Sequence, residues 1–564
     1  MRYPMNTVDL HTHSTRSDGT FTPSELVTLA AEKGLSAFAL TDHDTAAGID
    51  EAMEAAAGTS VEVIPGIELS TKYHEKDVHI VGLFYDYRNP EFQKQVKEFS
   101  DARDLRNQKM CRMMCDAGLP IPYEELMADN PDAVVTRANM AKFLLKKGAI
   151  SSMKEAFDKY IGDDCPFFVP REKITPKMAV EFLLRFHGIP ILAHPFQYKL
   201  GDEGLETLVR ELKEAGLMGI EAYYCQHTPE MTAKIQSLAR RYELLLSGGS
   251  DFHGANKPGL SLGTGYGHLA VPEDCLTNMK HARFHVNDET RIFFCDFDGT
   301  LATDEKKISP ATRKALDDFV SRGNLFVLST GRAMADAKSL AERLKLHYPN
   351  LYLSAYNGAE LYSCEERETL LRETLPLPVV RDVMKLADEF GLHCHTYDTD
   401  DIVARKPSQE IAFYTSPDRM PVPMPVRYSE DPAGALSAPP CKCLSIHLEN
   451  ETDHALEPFS RALEAKYGTV LHTVMSNAWY LEIDPVRATK GDSLRWLCRH
   501  LGIDPKNAIA AGDAPNDNSM LKAAGLGIGM CNGLPSNPEM RDAADVITET
   551  DNNHDGLAPI LEKA

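Results

Sequence analysis

No stretch of about 18 uncharged apolar residues occurs anywhere in the chain, so no segment reads as a membrane-spanning helix. The opening Met1-Arg2-Tyr3-Pro4-Met5-Asn6 runs into Val8-Asp9-Leu10-His11 without the apolar core of a secretory signal. The 12 cysteines are dispersed and form no Cys-x-x-Cys pair, which argues against a disulfide framework and a zinc knuckle and suits a reducing cytoplasm. Positive charge is also short. Lys and Arg number 60 against 83 Asp and Glu, a net charge of −23, and a stable complex along duplex nucleic acid needs cations to neutralise phosphates. A nucleotide or an oligonucleotide end stays open, because metal ions in a pocket add positive charge that side chains do not count. No internal repeat or low-complexity tract is present. What remains is an ordinary globular composition, 43% apolar and 25% charged, over 564 residues, too long for one core and suited to two to four domains.

In the first half, short apolar runs end in, or contain, residues able to do chemistry. They are Thr7–Leu10 before His11, Ala37–Thr41 before Asp42-His43, Val61–Ile67 before Glu68, and Val78–Tyr85 containing His79. Ile189–Ala193 before His194, Gly219–Tyr224, and Leu244–Ser247 ahead of Asp251 follow. Helical segments separate several of them, such as Pro23–Lys33 with Leu26, Leu29 and Ala30 on one face. Seven strands alternating with helices predict parallel β/α units closing into a barrel with its site at the strand C-termini. Residues 92–173 break the rhythm and read as a charged helical insertion. A second α/β system begins near Arg291, with Ile292–Cys295 before Asp296, Leu325–Leu328 before Ser329-Thr330, and Ala508–Ala511 before Gly512-Asp513. Its loops suit an open sheet that binds at strand ends, with an α+β cap over residues 375–473. The expected domains are 1–288 and 289–564.

In Asp9-Leu-His11-Thr-His13, the two imidazoles lie two apart at a strand end and so share a face. Asp18, His43, Glu68, His79, His194, Asp251 and His253 complete a set of nine imidazoles and carboxylates. Neutral imidazole with carboxylate suits Mn, Fe or Zn, and nine ligands exceed one tetrahedral ion, so two or three metals sharing a carboxylate are expected. Such ions clamp phosphoryl oxygens and activate water. The motifs DLHTHSTRSDG, TDHDT, GIELS, VHIVGL, LAHP and GSDFHG resemble the PHP (polymerase and histidinol phosphatase) family across residues 7–275. Within it the chain is most similar to phosphoesterases acting on nucleoside 3′,5′-bisphosphates and on the 5′ ends of short RNA. The resemblance implies one metal at His11, His13, Glu68 and Asp251, a second at Glu68, His79 and His194, and a third at Asp18, His43 and His253. Those relatives usually carry Arg-Pro-His in the insertion, where this chain has Arg137-Ala-Asn139, leaving Arg137 as the candidate phosphate ligand.

In Asp296-Phe-Asp298-Gly-Thr, two carboxylates follow a buried strand, one placed to attack phosphorus and the other to move the proton. Thr330 in Ser-Thr-Gly-Arg, Lys490 in Ala-Thr-Lys-Gly-Asp, and Asp513 with Asp517 in Gly-Asp-Ala-Pro-Asn-Asp make an oxygen-rich site suited to Mg. These motifs resemble the haloacid dehalogenase (HAD) superfamily over residues 290–564, and the long cap with Asn357-Gly358-Ala359 resembles its Cof subgroup. The resemblance implies a Rossmann-like core with a C2B-type cap, Asp296 as nucleophile and Asp298 as general acid/base. It also implies that Thr330 and Lys490 bind phosphate, and that Mg is held by Asp296, the carbonyl of Asp298 and Asp513, with Asp517 in support.

The expectation is therefore an α/β, bifunctional phosphate-ester hydrolase: a distorted (β/α)7 PHP barrel, then a HAD phosphatase for a small phosphorylated metabolite. Two alternatives stand beside it, a histidinol-phosphate phosphatase type of barrel and a non-catalytic, metal-bound regulatory role for one domain. Oligomeric state is not legible.

Overall fold

The computed structural model describes residues 7–564 except 75, 132, 163–164, 170–173, 400, 417–419 and 421–423. The expected end of the insertion at residue 173 and the leading six residues therefore lie outside the described part. The chain separates into two compact units, Met1–His285 and Val286–Ala564, against an expected junction at 288.

The first unit is built on an eight-stranded sheet. Thr7–Thr12, Ala37–Leu40 and Glu62–Tyr73 run parallel, as do Ile189–Leu192, Gly219–Tyr224 and Leu245–Gly249. The sheet curls until its ends meet. Asp251 N donates to His11 O at 2.9 Å, and His13 N donates to Phe252 O at 2.9 Å. Gly249 permits this approach, since a Cβ there would lie 2.5 Å from the His11 nitrogen. The intervening helices carry strong local signals. Pro23–Lys33 opens on a Thr22/Glu25 capping box, ends at Gly34 in the left-handed region, and buries Leu26, Val27 and Ala30.

One strand departs from the expected parallel order. Lys76–Leu83 is antiparallel to both Glu62–Tyr73 and Ile189–Leu192. Glu62–Tyr73 runs well past the expected Ile67, so the connection to Lys76 is too short for a helical crossover and only a hairpin can form. After this hairpin comes the helical insertion, opening with the 27-residue helix Pro90–Asp116. Met110, Met114, Leu126, Met140, Phe143 and Leu144 give it a core of its own.

In the second unit, Ile292–Asp296 lies between Leu325–Ser329 and Ala508–Gly512, all parallel. Chain order reverses on either side of Ile292–Asp296, and the crevice at the C-terminal ends of such strands is where open α/β sheets bind ligands. The cap is a six-stranded sheet with the helices Leu377–Glu389 and Leu456–Tyr467 packed on it. Its sheet continues past the expected limit at Thr473 to Pro485, because Leu471–Asn477 and Tyr480–Pro485 pair as a hairpin inside it. Among the described residues, no helix is long and apolar enough to cross a membrane.

Candidate functional sites

In the first unit the fold gathers all nine predicted ligands at one end of the barrel. Glu68 is the hub. One oxygen lies 3.3 Å from both His11 Nε2 and His13 Nε2 and 3.0 Å from His43 Nδ1, and the other lies 2.8 Å from His79 Nδ1 and 3.0 Å from His194 Nε2. Asp251 Oδ1 stands 3.3 Å from His13 Nε2, and Asp18 Oδ1 stands 3.2 Å from His253 Nε2. Eight of these residues are buried, and only the His79 side chain, 23% exposed, opens outward.

This donor set fits metal ions. His11 Nε2, both ring nitrogens of His13, and His43 Nδ1 are buried without a hydrogen-bond partner, an arrangement that costs free energy unless a cation takes the lone pairs. Ligand atoms of His13, Asp18, His43 and His253 converge within 4.8 Å, as do those of His11, Glu68 and His194, and of His11, His13 and Asp251. Burial alone would raise Glu68, but His43, His79 and His11 hold its carboxylate well below the ordinary range.

A further ring of residues, unassigned from the motifs, holds these ligands in place. Glu221 accepts from the His194 backbone N–H at 2.6 Å and meets His11 Nδ1 at 3.1 Å. It thereby steadies His194, whose φ of 23° is strained for a residue with a Cβ. Asp9 accepts from Ser250 N, Ser250 Oγ and Gly263 N, closing the barrel seam. Asp42 accepts from Ser14 and Ser17 and shapes the turn after His13. The usable sign of Glu221 was a carboxylate inside the apolar strand Gly219–Tyr224, where a buried charge needs a partner.

Arg137 also comes to this site. It joins His43, His79, Asp18, Lys72, Arg103, Arg106 and Phe168 around a cavity of about 190 Å³, donates to Asp77 at 2.6 Å, and lies 5.2 Å over the Phe168 ring. Asn139 caps its own helix instead, accepting from Thr136 N at 2.8 Å.

In the second unit, Lys490 Nζ donates to Asp296 Oδ1 and to Asp517 Oδ1, each at 2.6 Å. Asp513 accepts from Thr300 Oγ1 at 2.7 Å, while Asp517 accepts from the backbone N–H groups of Asp513 and Ala514. Gly299, at φ 81°, lets this loop pass where a Cβ would meet Asp513 Oδ2 at 2.5 Å. Asp296, Asp513 and Asp517 bring carboxylate oxygens within 4.8 Å of one another around a single ammonium. Burial, and then the neighbouring carboxylates, raise Asp296 well above its usual value and push Asp513 up to about 7. This excess of negative charge fits a divalent cation with oxygen ligands.

The Asp298 carboxylate stands apart from that cluster. It accepts from Arg332 Nε at 2.8 Å and Lys306 Nζ at 2.5 Å, and these cations outweigh burial to hold it below the usual range. Thr330, Lys306, Arg332 and Asp336 line a cavity of about 760 Å³ with Asp296, roofed by Phe413, Tyr414, Lys442 and Glu482 of the cap. His393, His395 and Tyr397 stand behind that wall in a hydrogen-bonded chain ending at the Tyr414 hydroxyl.

A PHP domain family model matches residues 9–160, and a haloacid dehalogenase-like hydrolase model matches residues 293–561. A 5′-3′ exoribonuclease of Haemophilus influenzae is 36% identical over 245 residues, 43% of this chain and 89% of that protein. A 3′,5′-nucleoside bisphosphate phosphatase of Chromobacterium violaceum is 33% identical over 261 residues, 46% of this chain and 91% of that protein. A solved haloacid dehalogenase-like hydrolase from Bacteroides thetaiotaomicron is 28% identical with a TM-score of 0.43, covering 49% of this chain and 99% of that one. The chain belongs to the PHP and the haloacid dehalogenase-like hydrolase families, joined in one polypeptide, and is a phosphoric ester hydrolase.

Proposed function

We propose that the first unit hydrolyses a nucleoside 3′,5′-bisphosphate or the 5′ end of a short RNA. The observation that carries this is the cationic, aromatic-walled cavity beside the histidine cluster, where Arg137 and Lys72 lie 5.2 and 5.0 Å over Phe168. A substrate with a second phosphate and a planar base matches such a chamber, and the named relatives act on this class. Two or three Mn, Fe or Zn ions held by His11, His13, Asp18, His43, Glu68, His79, His194, Asp251 and His253 would supply Lewis acidity toward the phosphoryl oxygens and acidify water. Glu221 and Asp9 keep the ligands aimed, and Arg137 orients the substrate. Full-length protein reconstituted with Mn should release phosphate from a 3′,5′-bisphosphate and lose that activity on chelation. Fewer than one metal per chain in folded, reconstituted protein would sink this reading.

The second unit, on the same proposal, hydrolyses a small phosphorylated metabolite through Asp296. An Asp296 oxygen attacks phosphorus, and the bond to the leaving oxygen breaks as Asp298 protonates that oxygen. Water then displaces Asp296 from phosphorus and gives its proton to Asp298. Thr330 and Lys490 hold the phosphoryl oxygens. Mg held by Asp296, the Asp298 carbonyl and Asp513, with Asp517 in support, would offset the repulsion between carboxylate and phosphate. A dianionic phosphate competes for Arg332 and Lys306, which raises Asp298 and readies it to carry a proton. Acid quenching within the first turnover, followed by borohydride reduction, should convert residue 296 to homoserine. Turnover with no trapped adduct on Asp296, at rates that should accumulate one, would exclude the covalent route.

A further inference from the structure

The cap strand Tyr480–Pro485 presents Glu482 and Asp484 on one face, as residues two apart must. Both reach the same turn of the core, by separate routes. Glu482 accepts from Ser476 Oγ at 2.7 Å and is ion-paired with Lys442, which is 2% exposed and donates to the carbonyl of Gly331 at 2.9 Å. Asp484, fully buried, accepts from Asn357 Nδ2 at 2.7 Å. Asn357 Oδ1 in turn accepts from Asn516 Nδ2 at 3.0 Å and sits 2.9 Å from where a Cβ on Gly331 would be. One strand of the cap thus reaches this turn twice, through Lys442 on the Gly331 carbonyl and through Asn357, whose backbone N–H donates to Thr330 O at 3.2 Å.

The position of that turn gives the grip its meaning. Gly331 lies between Thr330, which lines the cavity beside Asp296, and Arg332, which holds Asp298 through two nitrogens. The gripping strand also runs on through a short connector into the helix that begins at Lys490. Burying an ammonium and two carboxylates carries a desolvation cost, and apolar residues of the same volume would pack there without it. Packing alone therefore does not account for the charges.

We propose that Lys442, oriented by Glu482, is a positioning residue of the phosphatase reaction, tying the cap to the Gly331 carbonyl and so setting Thr330 and Arg332 against the phosphoryl group. This rests on the reading of Asp296 as the phosphatase nucleophile. Lys442 also forms part of the cavity roof, but because it acts through the turn its loss should affect small and large esters alike.

The test uses full-length Lys442→Met/Glu482→Gln, which removes the Lys442–Glu482 pair together and leaves Asp484 its hydrogen bond from Asn357. Turnover of p-nitrophenyl phosphate and of a larger sugar phosphate should fall about tenfold or more in kcat with KM within about threefold, because small misplacements of a phosphate ligand carry large rate penalties. Amide exchange at residues 330–332 should rise about tenfold, while the helix from Lys490 keeps its protection. Glu482→Gln alone, which retains Lys442 but loosens it, should move both readouts in the same direction and serves if the double variant does not fold. Wild-type kcat with unchanged exchange would overturn the proposal. So would a KM rise confined to the larger ester, which would make Lys442 a substrate contact. If the wild-type chain hydrolyses no ester, the Asp296 reading fails on its own, and the exchange measurement still decides whether Lys442 orders the turn.

Discussion

Asp298 and Glu221 both act by where their carboxylates are held. The Asp298 carboxylate is clasped by Arg332 and Lys306, which keep it ionised, and on the proposed mechanism it takes up and delivers a proton only when phosphate draws those cations away. Asp298→Asn should therefore slow alkyl phosphates by about 10²- to 10⁴-fold, the usual range for general acid–base catalysis. Aryl phosphates, whose leaving groups depart without protonation, should lose much less, and equal losses for both would remove Asp298 from the proton transfer. Glu221→Gln keeps the size of the side chain but weakens the hold on His11 Nδ1 and on the His194 backbone. Metal affinity of the first unit, measured by competition with a chelator, should drop about 10- to 100-fold with secondary structure unchanged. Undiminished affinity would reduce Glu221 to a packing role. The candidate residues were legible because His11 and His13, or Asp296 and Asp298, stand two apart at strand ends. Glu221, a lone acid in the apolar strand Gly219–Tyr224, signalled only that it needs a partner, and which partner was hidden because His11 and His194 are distant in sequence.

At the scale of elements, the runs and their loaded ends were readable, and direction was not. Apolar periodicity is the same for a strand running either way, so Lys76–Leu83 was expected to be parallel until the length of Glu62–Tyr73 left room only for a hairpin. The cap limit slipped for a related reason: nothing in the composition after Thr473 separates a cap hairpin from a core strand. The cap strand His393–Asp398 also carries a test of its own. His393 Nδ1 meets Ser408 Oγ, its Nε2 meets His395 Nδ1, and His395 Nε2 meets the Tyr397 hydroxyl. Burial lowers His393 to about 4 and holds His395, which also faces His393 and Lys442, well below its ordinary value. Both rings stay neutral when folded but take up a proton near pH 6.5 when unfolded. Their contribution is complete above about pH 6.5 and is lost as pH falls toward about 4, by up to about 1.4 kcal/mol per pH unit for each ring. Both tryptophans, Trp479 and Trp496, lie in the second unit, so fluorescence-detected urea unfolding reports it selectively. His395→Gln should flatten the decline in its midpoint between pH 6.5 and 5, and a slope equal to wild type would show that the chain does not govern it.

At the scale of the whole molecule, each site draws every side chain it uses from its own unit. The histidine cluster is assembled from residues between His11 and His253, and the aspartate site from residues between Asp296 and Asp517. Each unit has its own sheet and its own buried core. Substitutions that share no partners act additively to within a few tenths of a kcal/mol, so the two activities should be separable in the intact chain. Asp296→Asn removes the proposed nucleophile at nearly constant size and should abolish the second activity while leaving the first within about twofold. His13→Asn should do the reverse. The metals offer an independent check, because imidazole-rich sites retain transition ions whereas Mg on a few carboxylates exchanges freely with solvent. Dilution into Mg-free buffer should therefore silence the second activity at once and spare the first, which should decay only under a strong chelator. If both activities vanish together on either treatment while the protein stays folded, the two sites are not chemically independent.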